Sequence, residues 1–170
     1  APVNMEESYV QVVYPVREAF WKEERIKKAA RYDGEYEFLY FPFENNRVDL
    51  STFIHTPHYI SVNGKAGLRT QRGGRYPFRL CTCGGVKIWV NGKEQALFAP
   101  YTRNIPGNTR IELELEEGDN EIKVYADELA ERDVFFYFVL RYEGDMPLTG
   151  TAQTKEDPEE ILRTEACLRS

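Results

Sequence analysis

The chain is poor in cysteine and histidine and has neither a long apolar run nor a block of basic residues, and each shortage removes a class of function. Three cysteines in 170 residues are an odd number and make no disulfide framework. Cys81 and Cys83 lie two apart in what reads as a strand, about 6.6 Å along the chain at ~3.3 Å per residue, too far for a disulfide. All three are read as reduced thiols. His55 and His58 are the only histidines, so a tetrahedral zinc site lacks its ligand set. No apolar stretch nears the roughly 20 residues that cross a bilayer. The start, "APVNMEESYV", lacks the charged and apolar regions of a signal peptide. The expectation is no membrane partner and a cytoplasmic location, with export of a larger parent left open. Formal net charge is -6 without any run of Lys or Arg, which offers little to a phosphate backbone, so nucleic acid is not an expected partner. The chain contains no G-x-S-x-G, H-E-x-x-H, phosphate-loop or dinucleotide fingerprint, and it reads as non-catalytic.

What is plentiful is aromatic and β-branched sequence. Aromatics are 14% of residues, and from Tyr36 onward short runs such as "YEFLYFPFE" and "STFIHTPHYISVNG" are broken by turn residues, the pattern of an all-β sandwich or barrel. In "TRIELELEEGDNEIKVYADE", Ile111, Leu113 and Leu115 alternate with Glu112, Glu114 and Glu116. Gly118-Asp119-Asn120 then turns the chain and Ile122 and Val124 alternate back, which predicts an antiparallel hairpin with one dry and one wet face. In "VFFYFVLRY" apolar residues occupy both parities, as in a strand buried on both sides or covered by a neighbouring domain. Asn91-Gly92 suits a type I′ turn. Earlier, "SYVQVVYPV" reads as an edge strand, and "REAFWKEERIKKAARY" carries a partial apolar stripe that fits a short helix or a strand with a charged loop.

The predicted organisation is a β-sandwich over 1–144, a linker over 145–156, and the start of a helix over 157–170. Asp157 would be the N-cap, Pro158 the first turn and Glu160 the capping-box acid. A helix with an apolar side and nothing after it to cover it implies that the chain was cut from a larger protein.

Two blocks carry a resemblance. Val90-Asn91-Gly92 ends one strand, and Glu117-Gly118-Asp119-Asn120-Glu121-Ile122 links the next pair. Together they resemble the galactose-binding-like jelly-roll β-sandwich domains attached to bacterial glycoside hydrolases, over Tyr76 to Tyr142 by motif and Tyr36 to Arg75 by texture. The resemblance implies an antiparallel jelly-roll sandwich with minor helical segments, including the C-terminal helix. It also implies an accessory role beside the remaining domains of a carbohydrate-active parent. Members of this group bind carbohydrate through loop residues, hold a structural calcium, or only pack beside a catalytic domain. No sugar-binding triad maps onto this chain residue by residue. The two motifs set hairpin register, and fold alone carries no function.

Four groups of residues remain as candidates for chemistry. Trp89 shares its strand parity with Lys87 and Asn91, so it is expected at a polar face, as a contact for an adjoining domain, a stacking platform for a sugar, or plain sheet-face packing. Tyr101 and Arg103 join it as the tentative ligand-binding set of an autonomous carbohydrate-binding module. The acids of "DELAERD", with Asp127 and Asp133 as tentative metal ligands, are read as a loop that is either simply solvated, with Arg132 pairing one acid, or holds a calcium; a glycosidase pair there is the least favoured reading. His55 and His58 flank a proline turn without a motif beside them. "QRGGRYPFR" is a short basic loop that is either a solvated turn or a contact for an acidic sugar or a partner's carboxylate.

Overall fold

A computed structural model describes residues 24–36, 47–102, 104–134 and 136–151. A short helix, α1 (Glu24–Lys28), precedes nine strands: β1 (Arg47–Asp49), β2 (Thr52–Thr70), β3 (Gly74–Thr82), β4 (Gly85–Val90), β5 (Lys93–Phe98), β6 (Gly107–Leu115), β7 (Gly118–Val134), β8 (Tyr137–Tyr142) and β9 (Leu148–Thr151). They form two antiparallel sheets, ordered β1-β8-β3-β6 and β5-β4-β7-β2-β9. The pairings β4 with β5, β3 with β6, β2 with β7 and β1 with β8 are nested about the β4–β5 turn and alternate between sheets. That is the jelly-roll wrapping of eight strands into a double sheet. The all-β antiparallel sandwich expected from the sequence is therefore the fold. The C-terminal helix and the N-terminal edge strand lie outside the described residues.

Strand alternation decides what is inside. Tyr76, Phe78 and Leu80 of β3 and Leu113 and Leu115 of β6 face Val86, Ile88 and Val90 of β4 and Ile122, Val124 and Ala126 of β7 across the sandwich, all buried. Each fully buried Leu or Ile stabilises by about 1.5–3 kcal/mol relative to exposure. The glutamates of β6 stay outside, as their parity requires.

One turn holds register within a sheet and the other joins the two sheets. Asn91 (φ 49°) and Gly92 (φ 85°) both take positive φ between β4 and β5, as a type I′ turn demands. Gly118 (φ 94°) starts β7 after Glu116 and Glu117. The buried Asn120 side chain then replaces a turn's own hydrogen bonds: its Oδ1 accepts from Glu116 N at 2.8 Å and its Nδ2 donates to Glu116 O at 2.8 Å. Asn91 Nδ2 donates to the same Asn120 oxygen at 2.8 Å. The two sequence motifs thus meet at one end of the sandwich and bond each other.

Three departures from expectation have local causes. Leu148–Thr151, inside the segment read as linker, pairs with Gly67–Thr70 as β9, and Met146 and Leu148 pack against the core, so apolar contact holds this stretch to the sheet. "DELAERD" is not a loop: it lies within β7, paired with β2. Thirdly, β6 and β7 do not pair as the expected hairpin: β6 pairs with β3 in one sheet and β7 with β2 and β4 in the other, so the turn at Gly118 crosses between sheets. At the open sheet edges Gln95 ties the two layers together. Its Nε2 donates to Glu114 O at 3.1 Å and its Oε1 accepts from Glu114 N at 2.6 Å, linking β5 of one sheet to β6 of the other.

Candidate functional site

The outer face of the five-stranded sheet carries the most concentrated polar chemistry among the described residues. Odd positions of β7 and β2 and of β4 point outward there, so Lys87, Trp89, Lys123, Tyr125, Asp127 and Tyr59 share a face. Residues 24–36 run across it as a strap. Lys87, only 3% exposed, drives its ammonium into the C-terminal end of α1 and donates to the carbonyls of Ile26 (3.2 Å), Lys27 (2.7 Å) and Ala29 (3.0 Å). These carbonyls lie in and just past the last turn of the helix, where Ile26 O also accepts from Ala29 N at 3.2 Å, and a cation is favoured at that end of the dipole. Arg31 donates to Gly92 O at 3.1 Å, and Lys123 reaches Tyr32 O at 2.8 Å and Asp33 at 2.9 Å.

Under the strap lies Asp127, 0% exposed. Its Oδ1 accepts from the Tyr101 hydroxyl at 2.7 Å and its Oδ2 from the Tyr59 hydroxyl at 3.2 Å. The Tyr59 and Tyr125 hydroxyls bond each other. Arg25 Nε stands 3.7 Å from Oδ2, and its guanidinium lies 4.0 Å over the Tyr59 ring. Burial disfavours the carboxylate and pushes the Asp127 pKa up to about 6, although the Tyr101 hydroxyl and Arg25 pull the other way. Burial, and then the Asp127 charge, also raise Tyr101, and raise Tyr125 to about 12. Both phenols therefore stay protonated and available as donors. Tyr101 sits at φ 45°, which is uncommon for a bulky side chain and persists only where the surroundings hold it. Gly85 is required beside it, since a Cβ there would stand 2.6 Å from the Tyr101 hydroxyl and 2.7 Å from Asp127 Oδ1.

Beside this cluster a cleft of about 500 Å³ opens between strap and sheet, lined by Arg25, Lys28, Arg31, Tyr32, Tyr59 and Tyr125 among others. Tyr32 and Tyr59 are each 40% exposed. A second hollow of about 480 Å³ lies near the β4–β5 turn and the start of β3, with Arg75, Lys93 and Glu114 in its wall.

The structure disperses the residues singled out from sequence. Trp89 is 7% exposed, with Lys87 Nζ 5.3 Å from its ring; its polar-parity face is buried rather than open. Tyr101 is buried at 6% and faces Asp127 instead of solvent. Arg103 lies outside the described residues, as does the Asp133 side chain. Along β7, Asp127 and Asp133 are six residues apart, about 20 Å at ~3.3 Å per residue, so they cannot share a calcium ion whose oxygens stand ~2.3–2.6 Å away. Among the described residues no three His, Cys, Asp or Glu side chains gather as metal ligands. Sequence reading missed Arg25, Tyr59 and Lys87. The available signal was the charge in "VKIWV": a lysine beside a tryptophan on a strand whose other face is wholly apolar needs a partner for both.

No protein-family model matches the chain, and no curated protein matches it. Among solved structures it is similar to a family 35 carbohydrate binding module from an environmental isolate, at 14% identity and a TM-score of 0.42, over 71% of this chain and 89% of that one. It is also similar to the β-glucosidase of Kluyveromyces marxianus, at 17% identity and a TM-score of 0.42, over 82% of this chain but 17% of the enzyme. A third is the exo-β-1,3-galactanase of Phanerochaete chrysosporium, at 17% identity and a TM-score of 0.30, over 56% of this chain and 27% of that one. At this degree of likeness, function rests on the chain's own residues.

Proposed function

We propose that the chain is a non-catalytic accessory β-sandwich of a carbohydrate-active enzyme that adds a glycan contact at the cleft between strap and sheet. The observation that carries this reading is the pair of half-open tyrosines, Tyr32 and Tyr59, on a cleft that also holds arginine side chains. Aromatic rings with polar tips, beside a few fixed hydrogen-bond donors, suit a flat ligand with an apolar face and polar rim, such as a sugar ring. Tyr59 is held from behind through its hydroxyl by Asp127 and Tyr125, so its ring is presented with little freedom left to lose on binding. This moves the stacking surface from the buried Trp89 to Tyr59.

Calorimetric titration of the chain against a panel of neutral and acidic glycans tests the reading. Saturable binding to at least one glycan, weakened about tenfold or more by Tyr59→Ala, is the expected result, corresponding to roughly 1.4 kcal/mol. Binding untouched by Tyr59→Ala, or none to any glycan, overturns it. A scaffold role toward neighbouring domains is a second reading, favoured by the opposite sheet.

A further inference from the structure

On the outer face of the four-stranded sheet the register places three arginines directly abreast. Arg79 of β3 lies opposite Arg110 of β6 on one side and Arg141 of β8 on the other. Neighbouring strands are about 4.8 Å apart, so like charges in this arrangement repel and destabilise the sheet. Elsewhere on the same face the ordinary rule is kept: Arg75 lies opposite Glu114 and pairs with it at 3.6 Å. Two carboxylates flank the row: Glu143 takes the Arg79 fork at 2.8 and 3.5 Å, and Glu112, two residues along β6 from Arg110, stands 3.8 Å from Arg75. Arg79, and behind it Arg110 and Arg141, hold the Glu143 pKa below the ordinary value. Arg110 and Arg141 are exposed and have no ion pair of their own among the described residues. Flanking the row, Pro77, Cys81 and Val139 of the same face are partly exposed. Three positive charges abreast, of which only Arg79 has an ion pair among the described residues, set among small apolar groups, thus mark a chain whose net charge is -6.

From this juxtaposition we infer that the Arg110–Arg79–Arg141 row is a docking surface for a second protein domain that presents Asp and Glu side chains. Arginine among apolar groups is the composition of protein interfaces, and its planar fork suits carboxylates. None of the three arginines lines either hollow described above, whereas small ligands favour concave sites. Charge complementarity selects an acidic partner, and relief of the repulsion within the row adds to its attraction. This inference concerns the sheet opposite the tyrosine cleft and stands or falls separately from glycan binding there.

The probe is a hexaglutamate peptide, with hexaglutamine as the uncharged control and dextran sulfate as the polysaccharide arm. Binding is read from the arginine Nε signals by NMR at about 20 mM salt, where screening is weak. The expected result is that hexaglutamate, and not hexaglutamine, moves the Arg79, Arg110 and Arg141 signals. The double variant Arg110→Gln/Arg141→Gln should bind it at least about tenfold more weakly, while melting at the same or a higher temperature than the wild type. That combination separates a binding role from a structural one, because arginines that serve only the fold would lower the melting temperature when removed. A lowered melting temperature, unmoved signals, or tighter binding of dextran sulfate than of hexaglutamate each overturns the proposal.

Discussion

Replacing Asp127 with Asn should make the protein more stable at neutral pH, and the gain should vanish on acidification. The carboxyl is wholly buried, and its pKa rises from 3.8 to about 6 on folding. A difference of about two in pKa corresponds to ~3 kcal/mol, by which the ionised form is disfavoured in the folded state. Below pH 3.8 both folded and unfolded chains hold the proton, and Asp127 has no pH-dependent effect. Between 3.8 and about 6 only the folded chain holds it, so stability falls as pH rises through this window and stays low above it. Asn keeps the shape, accepting from one tyrosine and donating to the other. The partner lost is Arg25, whose side chain is 38% exposed but whose Nε facing Asp127 is buried, so losing the ion pair takes back part of the gain. Other carboxylates act in the opposite sense: Asp33 and Glu143 have lowered pKa values and lend stability that is lost on acidification. The useful quantity is therefore the difference between variant and wild type, measured by urea unfolding from pH 4 to 7 with tryptophan fluorescence. That difference should grow in favour of Asn by about 1–3 kcal/mol across the window. A flat difference, or one that moves toward the wild type as pH rises, would refute the claim that burial dominates the Asp127 charge.

Two further outcomes follow from hydrogen-bonded groups away from that carboxyl. Lys87→Met keeps the apolar stem but removes the three bonds to the end of α1. It should cost about 2–3 kcal/mol and speed tryptic cleavage in the strap, at Lys28 and Arg31, before the sandwich itself unfolds. Asn120→Ala leaves Glu116 N and O and Asn91 Nδ2 without their partner. Calorimetry should show a loss of roughly 2–4 kcal/mol, because several part-buried bonds are lost together.

The sandwich was legible because its signals are local. The alternation of β6 and β7 and the positive-φ residues Asn91, Gly92 and Gly118 need only neighbours in sequence to be interpreted, and both strands and both turns formed, but the β6–β7 hairpin did not, because which sheet each strand joins is decided by partners remote in sequence. The cluster around Asp127 was not legible, because it is assembled from Arg25, Tyr59, Tyr101 and Asp127, which lie far apart in the chain. Parity placed Trp89 and Lys87 on the polar face correctly. What parity cannot tell is whether another segment covers that face, and residues 24–36 do. Acidic density misled in the same way: "DELAERD" resembles a loop by composition, yet all of it but Glu131 is paired along β2, and the partners of Asp127 come from β2, α1 and the segment after β5.

The nesting of strand pairs also bears on how the chain reaches this fold. Pairing β1 with β8 directly would require closing nearly the whole sandwich as one loop, and the entropy of closure rises with loop length. The order of the pairs offers a shorter route. Asn91-Gly92 closes β4 on β5 first; β3 and β6 then lie near each other, next β2 and β7, and finally β1 and β8. Each step draws in only the slack left by the one before, like a zip run outward from a single tooth. A topology whose partners are remote in sequence is ordinarily slow to form. Here the two residues of one turn hold the starting point, so damage at Asn91-Gly92 would delay the whole molecule rather than loosen one corner of it.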